Sequence, residues 1–202
     1  MSQDDHSRQS VTREKNRDAV LNAGRDLFYL NGYGGTSLAL IAQRADVSTA
    51  TLFKHFSTKS ALLRAVIERE WVAADVELKH LPDTDIRARL RTIGHALIEF
   101  VRRPGTADLF RLIIAEVRHI PELDDVRDGL VAGSFFKLTR RCFNYLDLES
   151  DCVDALAQQY VGLIAGQVLW PTLMNPDYIQ PRENDDRIVD AAIEITLKER
   201  TL

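Results

Sequence analysis

Residues 38–57, with the sequence LALIAQRADVSTATLFKHFS, decide how the rest of this 202-residue chain is interpreted. Their apolar side chains recur where two short crossed helices would share a small core, namely at Ile41, Ala45, Val47 and Leu52. Ala42 is small at the point where the two helices would approach most closely. The spacing fits a helix-turn-helix, which presents the N-terminal turn of its second helix to a DNA major groove. Spacing alone also fits a compact helical hairpin with no nucleic-acid role.

The second helix of this pair has an outward face suited to DNA. Leu52 and Phe56 lie one turn apart and are predicted to face the core. The other side chains are predicted to face outward, with the last two at the edges of the face: Thr49, Ala50, Phe53, Lys54, Thr51 and His55. Short Thr and Ala side chains can touch thymine methyl groups, and hydroxyls can bond bases or phosphates. Together with Lys59, the basic and titratable groups of this surface can neutralise phosphates.

Charge is divided unevenly along the chain. Residues 1–64 carry nine Lys or Arg and six Asp or Glu, a net charge of +3, whereas residues 65–202 carry 17 and 24, a net charge of −7. The total of −4 excludes a uniformly basic coat for nucleic acid. The asymmetry predicts that the two ends of the protein have different partners.

Helical periodicity extends over almost the whole chain and alternating β-branched runs are absent, so the sequence predicts an all-α protein. Cap and stop signals bound four helices near the N-terminus: one ending near Asn31-Gly32, one from Thr36-Ser37 to 45–47, one opened by Ser48 and ending near His55, and one capped by Ser57-Thr58. Five more are predicted at 84–102, 106–119, 126–146, 150–170 (interrupted at Pro171) and 185–199.

A domain boundary is predicted at Leu81-Pro82-Asp83, because Pro82 restricts the backbone of the residue before it and Asp83 can cap a following helix. We therefore expect three parts. They are a flexible N-terminal arm over 1–12, a helix-turn-helix domain over 13–80 and a larger helical domain over 81–202.

About fifty consecutive residues also carry a family resemblance in one register. The matching stretches are 17–28 (RDAVLNAGRDLF), 31–33 (NGY), 36–37 (TS), 41–45 (IAQRA), 47–48 (VS), 51–56 (TLFKHF), 59 (K) and 61–63 (ALL). In these positions the chain closely resembles the DNA-binding domain of TetR-family transcriptional regulators. Residues 112–123 (LIIAEVRHIPEL) are similar to a C-terminal domain type of AcrR-like members, a shorter and less specific match.

The resemblance implies a set of DNA contacts on this chain. Thr36 and Ser37 would contact backbone phosphates, His55 and Lys59 would hold phosphates, and Thr49, Ala50 and Thr51 would lie over bases. Arg13, Lys15 and Arg17 could add contacts from the arm. The complete predicted surface consists of Thr36, Ser37, Ser48, Thr49, Ala50, Thr51, Phe53, Lys54, His55 and Lys59.

Three positions depart from the family pattern. Asp46 stands where Gly is usual in the turn, and Asp tolerates a left-handed backbone better than most residues do. Ala50 replaces a residue that is commonly Gly. Phe53 replaces the usual Tyr and so lacks a hydroxyl that would reach a phosphate, which limits it to apolar contact.

By the same resemblance, the larger domain binds a small molecule and forms a homodimer. Two-fold symmetry is also expected physically, because the half-sites of a palindromic operator lie about 34 to 36 Å apart and require two recognition helices. We expect the helices at 126–146 and 150–170 to pair across the dyad as a four-helix bundle. Gly162 and Gly166 would allow close approach there, although packing within the chain explains their spacing equally well.

Candidate ligand contacts in the larger domain form a pool of aromatic and polar residues. Its members are Trp71, Phe110, Arg118, His119, Tyr160, Gln167 and Trp170, with Phe100 and Met174 as further candidates. Pockets are mostly apolar with a few polar groups, but so are protein cores, and each of these residues fits a core position as well.

The sequence thus predicts a ligand-responsive transcriptional regulator, most simply a repressor that binds a palindromic operator as a dimer and is released by a small-molecule inducer. Activation would use the same DNA contacts. Two alternatives stay open: a regulator gated by redox chemistry of Cys142 and Cys152, which flank a predicted turn, and a helical enzyme. No catalytic motif, metal site or cofactor is predicted, because the five histidines lack ligand spacing and no Gly-rich phosphate loop occurs.

Localisation is predicted to be cytoplasmic. The polar N-terminus lacks the apolar stretch of a secretory signal, and two cysteines fit a reducing compartment. Residues 155–176 are uncharged, but they contain several amides and Pro171, so we interpret them as a helix buried in protein and expect no membrane partner.

Overall fold

The computed structural model describes residues 3–77, 85–116, 118–120, 123, 133–144, 149–175 and 177–198, and the side chains of all these except 3–9, 71–77 and 134. All regular structure in these ranges is helical, so the predicted all-α fold is confirmed. The described residues divide into two units. The first lies within Met1–Glu70 and Leu112–Val126, and the second within Trp71–Arg111 and Arg127–Leu202. The predicted boundary at 81–83 lies outside the described residues.

The first unit is built on a long helix and a helix-turn-helix. Its helices are α1 (Gln3–Asn31), α2 (Leu38–Arg44), α3 (Thr49–His55) and the first part of α4 (Lys59–Glu77). One face of each contributes to the core, whose buried members include Val20, Leu21, Phe28, Ile41, Leu52, Leu62, Leu63 and Val66. Burying each such large side chain stabilises the fold by about 1.5 to 3 kcal/mol relative to exposing it, so this core fixes α3 firmly on α1.

Helix α1 begins at Gln3, whereas we expected an arm over 1–12. The buried residues Val20 and Leu21 anchor the helix, and the chain from residue 3 to residue 23 contains neither Gly nor Pro. Glu, Lys, Arg and Gln are good helix formers even without an apolar stripe, so the helix continues toward the N-terminus. Periodicity missed this segment because it has no apolar face.

The turn after α1 depends on glycine, as the stop signal predicted. Gly32 has φ +68°, and its backbone N–H donates to the Phe28 carbonyl at 2.9 Å. A Cβ added at Gly35 would lie 2.5 Å from the Asn31 carbonyl oxygen, closer than real contacts allow. Both positions favour glycine, one for its conformation and one for space.

In the part of the second unit that the structure describes, five helices follow the end of α4. They are α5 (Ile86–Arg102), α6 (Thr106–Glu116, whose last turns belong to the first unit), α7 (Ser134–Phe143), α8 (Ser150–Met174) and α9 (Asp185–Lys198), which a short 3-10 turn (Arg182–Asn184) precedes. Asp85 caps α5 by accepting from the Ala88 N–H at 2.9 Å. The described part of the predicted helix 126–146 begins only at Ser134, after the extended residue Gly133.

Helices α5, α7, α8 and α9 share one core with Tyr160 at its centre. The Tyr160 hydroxyl is buried and donates to the Leu90 carbonyl at 2.6 Å. A Cβ at Gly94 would lie 2.5 Å from that hydroxyl and 2.9 Å from the side chain of Val189. The close packing of α5 on α8 and α9 therefore requires glycine at this position.

A ladder of charged pairs joins α5 to α9 along their antiparallel length. Arg87 pairs with Glu194 and Arg91 pairs with Asp190, four residues further along α5 and four residues back along α9. The next rung joins His95 Nε2 to Asp186 at 3.1 Å. The Arg87 guanidinium lowers the pKa of Glu194, as expected for a hydrogen-bonded ion pair.

Helix α8 continues past Pro171, where we expected an interruption. A proline lacks an N–H and removes one helical bond, but side chains secure the turn around it. The Thr172 hydroxyl donates to the Val168 carbonyl at 2.7 Å. Arg111 donates to the carbonyls of Thr172 and Leu173 at 2.7 and 3.1 Å, which satisfies the end of the helix.

Candidate nucleic-acid interface

Side-chain caps fix both helices of the helix-turn-helix. The Ser37 hydroxyl accepts from the Leu40 N–H at 3.2 Å at the start of α2, and the Ser48 hydroxyl accepts from the Thr51 N–H at 3.0 Å at the start of α3. Between the helices Asp46 has φ +53°, which confirms that aspartate takes the left-handed turn position. Two caps and one turn residue thus set the angle at which α3 leaves α2.

The orientation of α3 is the one that the sequence predicted. Leu52 and Phe56 are buried against α1 and α2. Thr49, Ala50 and Lys54 are exposed, and 53% of Phe53 is accessible to solvent. Thr51 and His55 lie half-buried at the edges of the face. A short, uncharged N-terminal turn followed by a lysine is therefore presented outward from a fixed helix.

Ser48 and Thr51 form a pair of hydroxyls at one edge of this face. Their oxygens lie 2.8 Å apart, and either can donate to the other. Each hydroxyl has one proton and two lone pairs, so the pair can still exchange a bond with an outside acceptor or donor. Ser48 is therefore both a cap and a solvent-facing polar group.

Thr36 occupies a different position from the one that the resemblance implied. Its side chain is only 2% exposed, and its hydroxyl lies 3.0 Å from the Leu27 carbonyl and 2.8 Å from the Gly32 carbonyl, to which it donates. The side chain thus satisfies the end of α1 instead of facing a phosphate. Its neighbour Ser37 is exposed. We therefore withdraw Thr36 as a phosphate contact.

Lys59 is also held within the first unit. Its ammonium donates to the carbonyls of Tyr33 at 2.7 Å and Thr36 at 2.9 Å, and it lies 4.1 Å from the centre of the Tyr33 ring. An ammonium has three N–H donors, so one remains for a phosphate. Lys59 joins α4 to the turn after α1, a role that sequence reasoning missed.

A cleft between α1 and α3 gathers charged groups beside the outward face of α3. It has a volume of about 380 Å³ and is lined by Ser10, Arg13, Glu14, Arg17, Lys54 and His55. The guanidinium of Arg17 also lies 5.5 Å from the centre of the Phe56 ring. The α1 members follow helical spacing, which would have been visible in the sequence had the segment been assigned to a helix.

The cleft shifts the titration of His55. Partial burial lowers the pKa of His55 below its usual 6.5, and the nearby charges of Arg13 and Arg17 lower it further. His55 is therefore neutral at pH 7 in the protein alone. An anion placed in the cleft would oppose both arginines and favour the protonated form.

The residues of the predicted ligand pool do not come together. Tyr160 belongs to the core, Phe110 is half-buried with its ring edge-on to Phe100, and Gln167 and Trp170 are exposed on α8. Arg118 and His119 are exposed after the end of α6, and the Trp71 side chain lies outside the described residues. Met174 is exposed like Trp170. The described members of the pool therefore do not form one site, because aromatic residues spread over four helices need not converge.

The two cysteines occupy different environments. Cys142 is buried and Cys152 is exposed, and both are free thiols. Burial raises the pKa of the Cys142 thiol, which disfavours the reactive thiolate. This arrangement gives no support to the alternative of a redox pair formed by Cys142 and Cys152.

An uncharged face of α8 points away from the core of the second unit. Gly162 and Gly166 are exposed, and a Cβ added at either would find no atom of the described chain within 4 Å. Trp170 and Met174 continue this side of the helix with exposures of 59% and 82%. Packing within the part of the chain that the structure describes therefore does not explain the two glycines.

Two kinds of site are not found in the described part of the chain. No three His, Cys, Asp or Glu side chains there are grouped to hold a metal ion. None of the helices described combines the length and hydropathy that a membrane span requires.

Comparisons with known families match both ends of the chain. The family model described as bacterial regulatory proteins, tetR family, matches residues 20–66. The model described as AefR-like transcriptional repressor, C-terminal domain, matches residues 88–199, which is more than half of the chain.

Similar proteins extend the match over most of the chain. The HTH-type transcriptional activator FasR of Mycolicibacterium smegmatis is 29% identical over 197 residues, covering 93% of this chain and 82% of FasR. The HTH-type transcriptional repressor KstR of Rhodococcus jostii is 30% identical over 103 residues, covering 51% and 48%. A crystal structure from Mesorhizobium loti, described as of the TetR family, superposes with a TM-score of 0.76 at 22% identity, covering 92% of this chain and 96% of that one.

Proposed function

The chain belongs to the TetR family of bacterial regulatory proteins, and from this premise we propose that it represses transcription by binding a palindromic operator as a homodimer. A small molecule bound by the second unit would release it. That the chain is a DNA-binding transcriptional regulator, and not an enzyme, follows from the family itself. The operator symmetry, the dimer, the effector and the individual DNA contacts are our proposals.

One observation carries the proposal: α3 presents a short, exposed turn followed by a lysine while Leu52 and Phe56 anchor it in the core. A recognition helix must be rigid on one side and open on the other, because its side chains have to meet base edges in a fixed register. Both conditions are met here.

The exposed side chains divide by chemistry into base contacts and phosphate contacts. Thr49 and Ala50 supply a methyl group each, which suits thymine, and Phe53 supplies an apolar ring. The groups suited to phosphate are hydroxyls and cations around that turn: Ser37, Ser48, Thr51, Lys54, His55, Lys59 and Arg13. Affinity would come from the second set and sequence preference from the first.

The test of this division uses an operator selected from genomic fragments and a scrambled duplex of equal length. Thr49→Ala removes a hydroxyl and a methyl group from the base-facing turn, so it should weaken operator binding by about tenfold and scrambled binding hardly at all. Ser37→Ala should weaken both to the same degree, and it serves as the matched control. Equal losses on both duplexes for Thr49→Ala would refute its role as a base contact.

The proposed dimer uses the uncharged face of α8. Residues 155–175 contain no charged side chain, and Gly162 and Gly166 leave space for a second helix to approach. Two copies of α7 and α8 would form a four-helix bundle about the dyad. Such a dimer would supply two α3 helices, one for each half-site of the operator.

Sedimentation equilibrium tests the dimer directly. Gly162→Arg places a charge and a long side chain on the proposed interface and should convert the protein to a monomer. Ala191→Arg, at an exposed position of α9, is the matched control and should remain dimeric. A dimer that survives Gly162→Arg would exclude this face as the interface.

The direction of regulation is proposed from the relatives. The matching C-terminal model is named for a repressor, and KstR is a repressor, whereas FasR is an activator. We propose repression, because a dimer bound over a promoter blocks polymerase without further contacts. Transcription in a purified system, from a promoter carrying the selected operator, should fall when the protein is added, and a rise would reverse the assignment.

Release by a small molecule requires two states of the dimer. A ligand that binds more tightly to the state with the wrong spacing of α3 shifts the population toward it, and its differential affinity sets the size of the shift. Couplings of about 1 to 3 kcal/mol are usual for such systems.

We place this regulator in the cytoplasm, since its proposed partner is chromosomal DNA.

A further inference from the structure

A cavity in the second unit lies where none of the predicted ligand residues fall. It has a volume of about 290 Å³ and is formed by the end of α5, the start of α6, the end of α8 and the segment 178–180. A cavity of that size has room for roughly ten non-hydrogen atoms, if each takes the approximately 30 Å³ that a water molecule occupies in the liquid.

The walls of this cavity are of two kinds. The apolar part of the lining includes the buried side chains Ile98, Val101 and Val168. The charged part is mainly cationic: among the described residues that line the cavity, three are arginines and one is the aspartate Asp108. Pockets that bind small molecules combine an apolar body with a few polar groups in this way.

Two of the three arginines of the lining, Arg102 and Arg111, are held in place by the fold. Arg102 donates to both carboxylate oxygens of Asp185 at 2.5 and 2.6 Å. Arg111 makes three bonds, to Asp108 and to the carbonyls of Thr172 and Leu173. A guanidinium has five N–H donors, so Arg111 retains two for a ligand.

We propose that this cavity is the effector site and that its ligand is a small organic monocarboxylate with an apolar body. The carboxylate lies toward Arg103 and Arg111, and the apolar body lies on Ile98, Val101 and Val168. Guanidinium groups bind carboxylates in forked geometry, and the excess of arginine over aspartate in the lining favours an anion. This assignment rests on the proposed function only in naming the ligand an effector.

The location connects the ligand to the proposed dimer helix. Arg111 belongs to α6 and bonds the last carbonyls of α8, so an anion bound by its two remaining donors acts on the same side chain that secures the end of α8. The exposed face of the same helix carries Gly162 and Gly166. Occupancy of the cavity is thereby linked to the surface on which operator spacing depends.

Calorimetric titration with benzoate, benzamide and benzamidinium tests the ligand class, because these compounds have nearly the same shape and carry negative, zero and positive charge. The full-length protein should bind benzoate at least tenfold more tightly than benzamide and should not bind benzamidinium. Absence of benzoate binding, or equal affinity for all three compounds, would overturn the proposal.

Variants then test the location. Arg103→Met should weaken the binding of benzoate at least tenfold and leave the binding of benzamide unchanged. Arg141→Met, at an exposed arginine of α7, should change neither affinity. Ala107→Phe fills the cavity and should abolish binding of both compounds, with circular dichroism to verify folding. Unaltered benzoate binding in both Arg103→Met and Ala107→Phe would show that the ligand binds elsewhere.

Operator affinity separates this inference from the proposed function. Benzoate should weaken operator binding by the wild-type protein and have no effect on Ala107→Phe. Benzoate binding without any effect on the operator complex would overturn the effector assignment. A protein that binds benzoate as described but binds no duplex would instead contradict the proposed function alone.

Discussion

Two groups of charged side chains, one in each unit of the chain, are used in opposite ways. In the first unit Arg13 and Lys54 line the cleft beside α3, and neither forms a salt bridge within the described residues. In the second unit Arg87, Arg91 and Arg102 of α5 are each paired with a carboxylate of α9. Paired cations hold two helices together, whereas cations without an internal carboxylate are suited to meet a polyanion from outside.

This difference also separates stability from affinity. Charges that are already satisfied inside the protein contribute to the free energy of unfolding and little to binding. Charges that face solvent contribute little to folding and, through release of counterions, much to the binding of DNA. Removing a single charge therefore shows its role: the free energy of unfolding falls, or the affinity for DNA falls, or both.

The largest effect is expected at the least exposed pair. The side chains of Arg102 and Asp185 are 14% and 12% exposed, and the hydrogen bond to Asp185 raises the pKa of Arg102. Arg102→Met leaves the Asp185 carboxylate buried without its counterion, so we expect a loss of about 3 kcal/mol in the free energy of unfolding, measured by urea denaturation.

The control for that prediction lies on the same two helices. Arg87 and Glu194 are both 53% exposed, so Arg87→Met should cost less than about 1 kcal/mol. The double variant Arg102→Met with Asp185→Leu should regain most of the lost stability, because it removes the uncompensated carboxylate. Equal losses for Arg102→Met and Arg87→Met would mean that burial does not decide the strength of these pairs.

The next-largest effect is expected at Lys59, because its charge serves both folding and the proposed binding of DNA. Lys59 bonds the carbonyls of Tyr33 and Thr36 and retains one donor. Lys59→Met should lower the free energy of unfolding by about 1 to 2 kcal/mol, since it removes two charge-assisted hydrogen bonds. It should also weaken the binding of DNA. Loss of DNA affinity with unchanged stability would show that the two carbonyl bonds contribute nothing to folding.

Lys54→Met is the matched variant with the opposite outcome. Lys54 is exposed on α3, so its removal should leave the urea midpoint unchanged and weaken operator and scrambled DNA alike, by about fivefold to tenfold near 0.1 M salt. The slope of log affinity against log salt should fall by about 0.9, the value for one phosphate contact. An unchanged slope would remove Lys54 from the interface.

The α3 surface could be predicted from the sequence because its signals are local. The Ser48 cap, the left-handed Asp46 and the inward pair Leu52 and Phe56 are each specified by residues within one or two turns. Local pattern did not show that Thr36 would be buried, since its hydroxyl bonds the carbonyl of Leu27, nine residues earlier in the chain. The motif identified the residue types correctly, but the contact expected for Thr36, a phosphate, was wrong.

The second unit could be predicted as helices but not as a site. Its helices follow from apolar periodicity and caps, and most of their boundaries were found. The cavity draws its walls from three segments far apart in sequence, 98–111, 168–172 and 178–180, and no local pattern specifies which side chains meet there. Pairs such as Arg102 with Asp185, 83 residues apart, likewise depend on tertiary packing.

The smallest effect is expected for His55, because its charge changes with pH. Burial, with Arg13 and Arg17, lowers the pKa of His55 in the protein alone, so the neutral form prevails at pH 7. A phosphate in the cleft would raise that pKa, and DNA binding would then take up a proton. Operator affinity should rise as pH falls from 7.5 through 6.5, and the rise should be complete below the lowered pKa of the free protein.

Folding stability should move the other way. A histidine whose folded pKa is below its unfolded value stabilises the protein above pH 6.5, and that contribution is lost as pH falls through the folded pKa.

Fluorescence anisotropy from pH 8 to pH 5.5 measures the affinity for the operator, and we expect a gain of a few fold, less than the tenfold that a full pKa unit would give. His55→Gln should flatten this pH dependence. The same slope in both proteins would assign the proton to another residue and leave His55 without a phosphate, so the cleft would then be a feature of the first unit's fold and not part of its DNA surface.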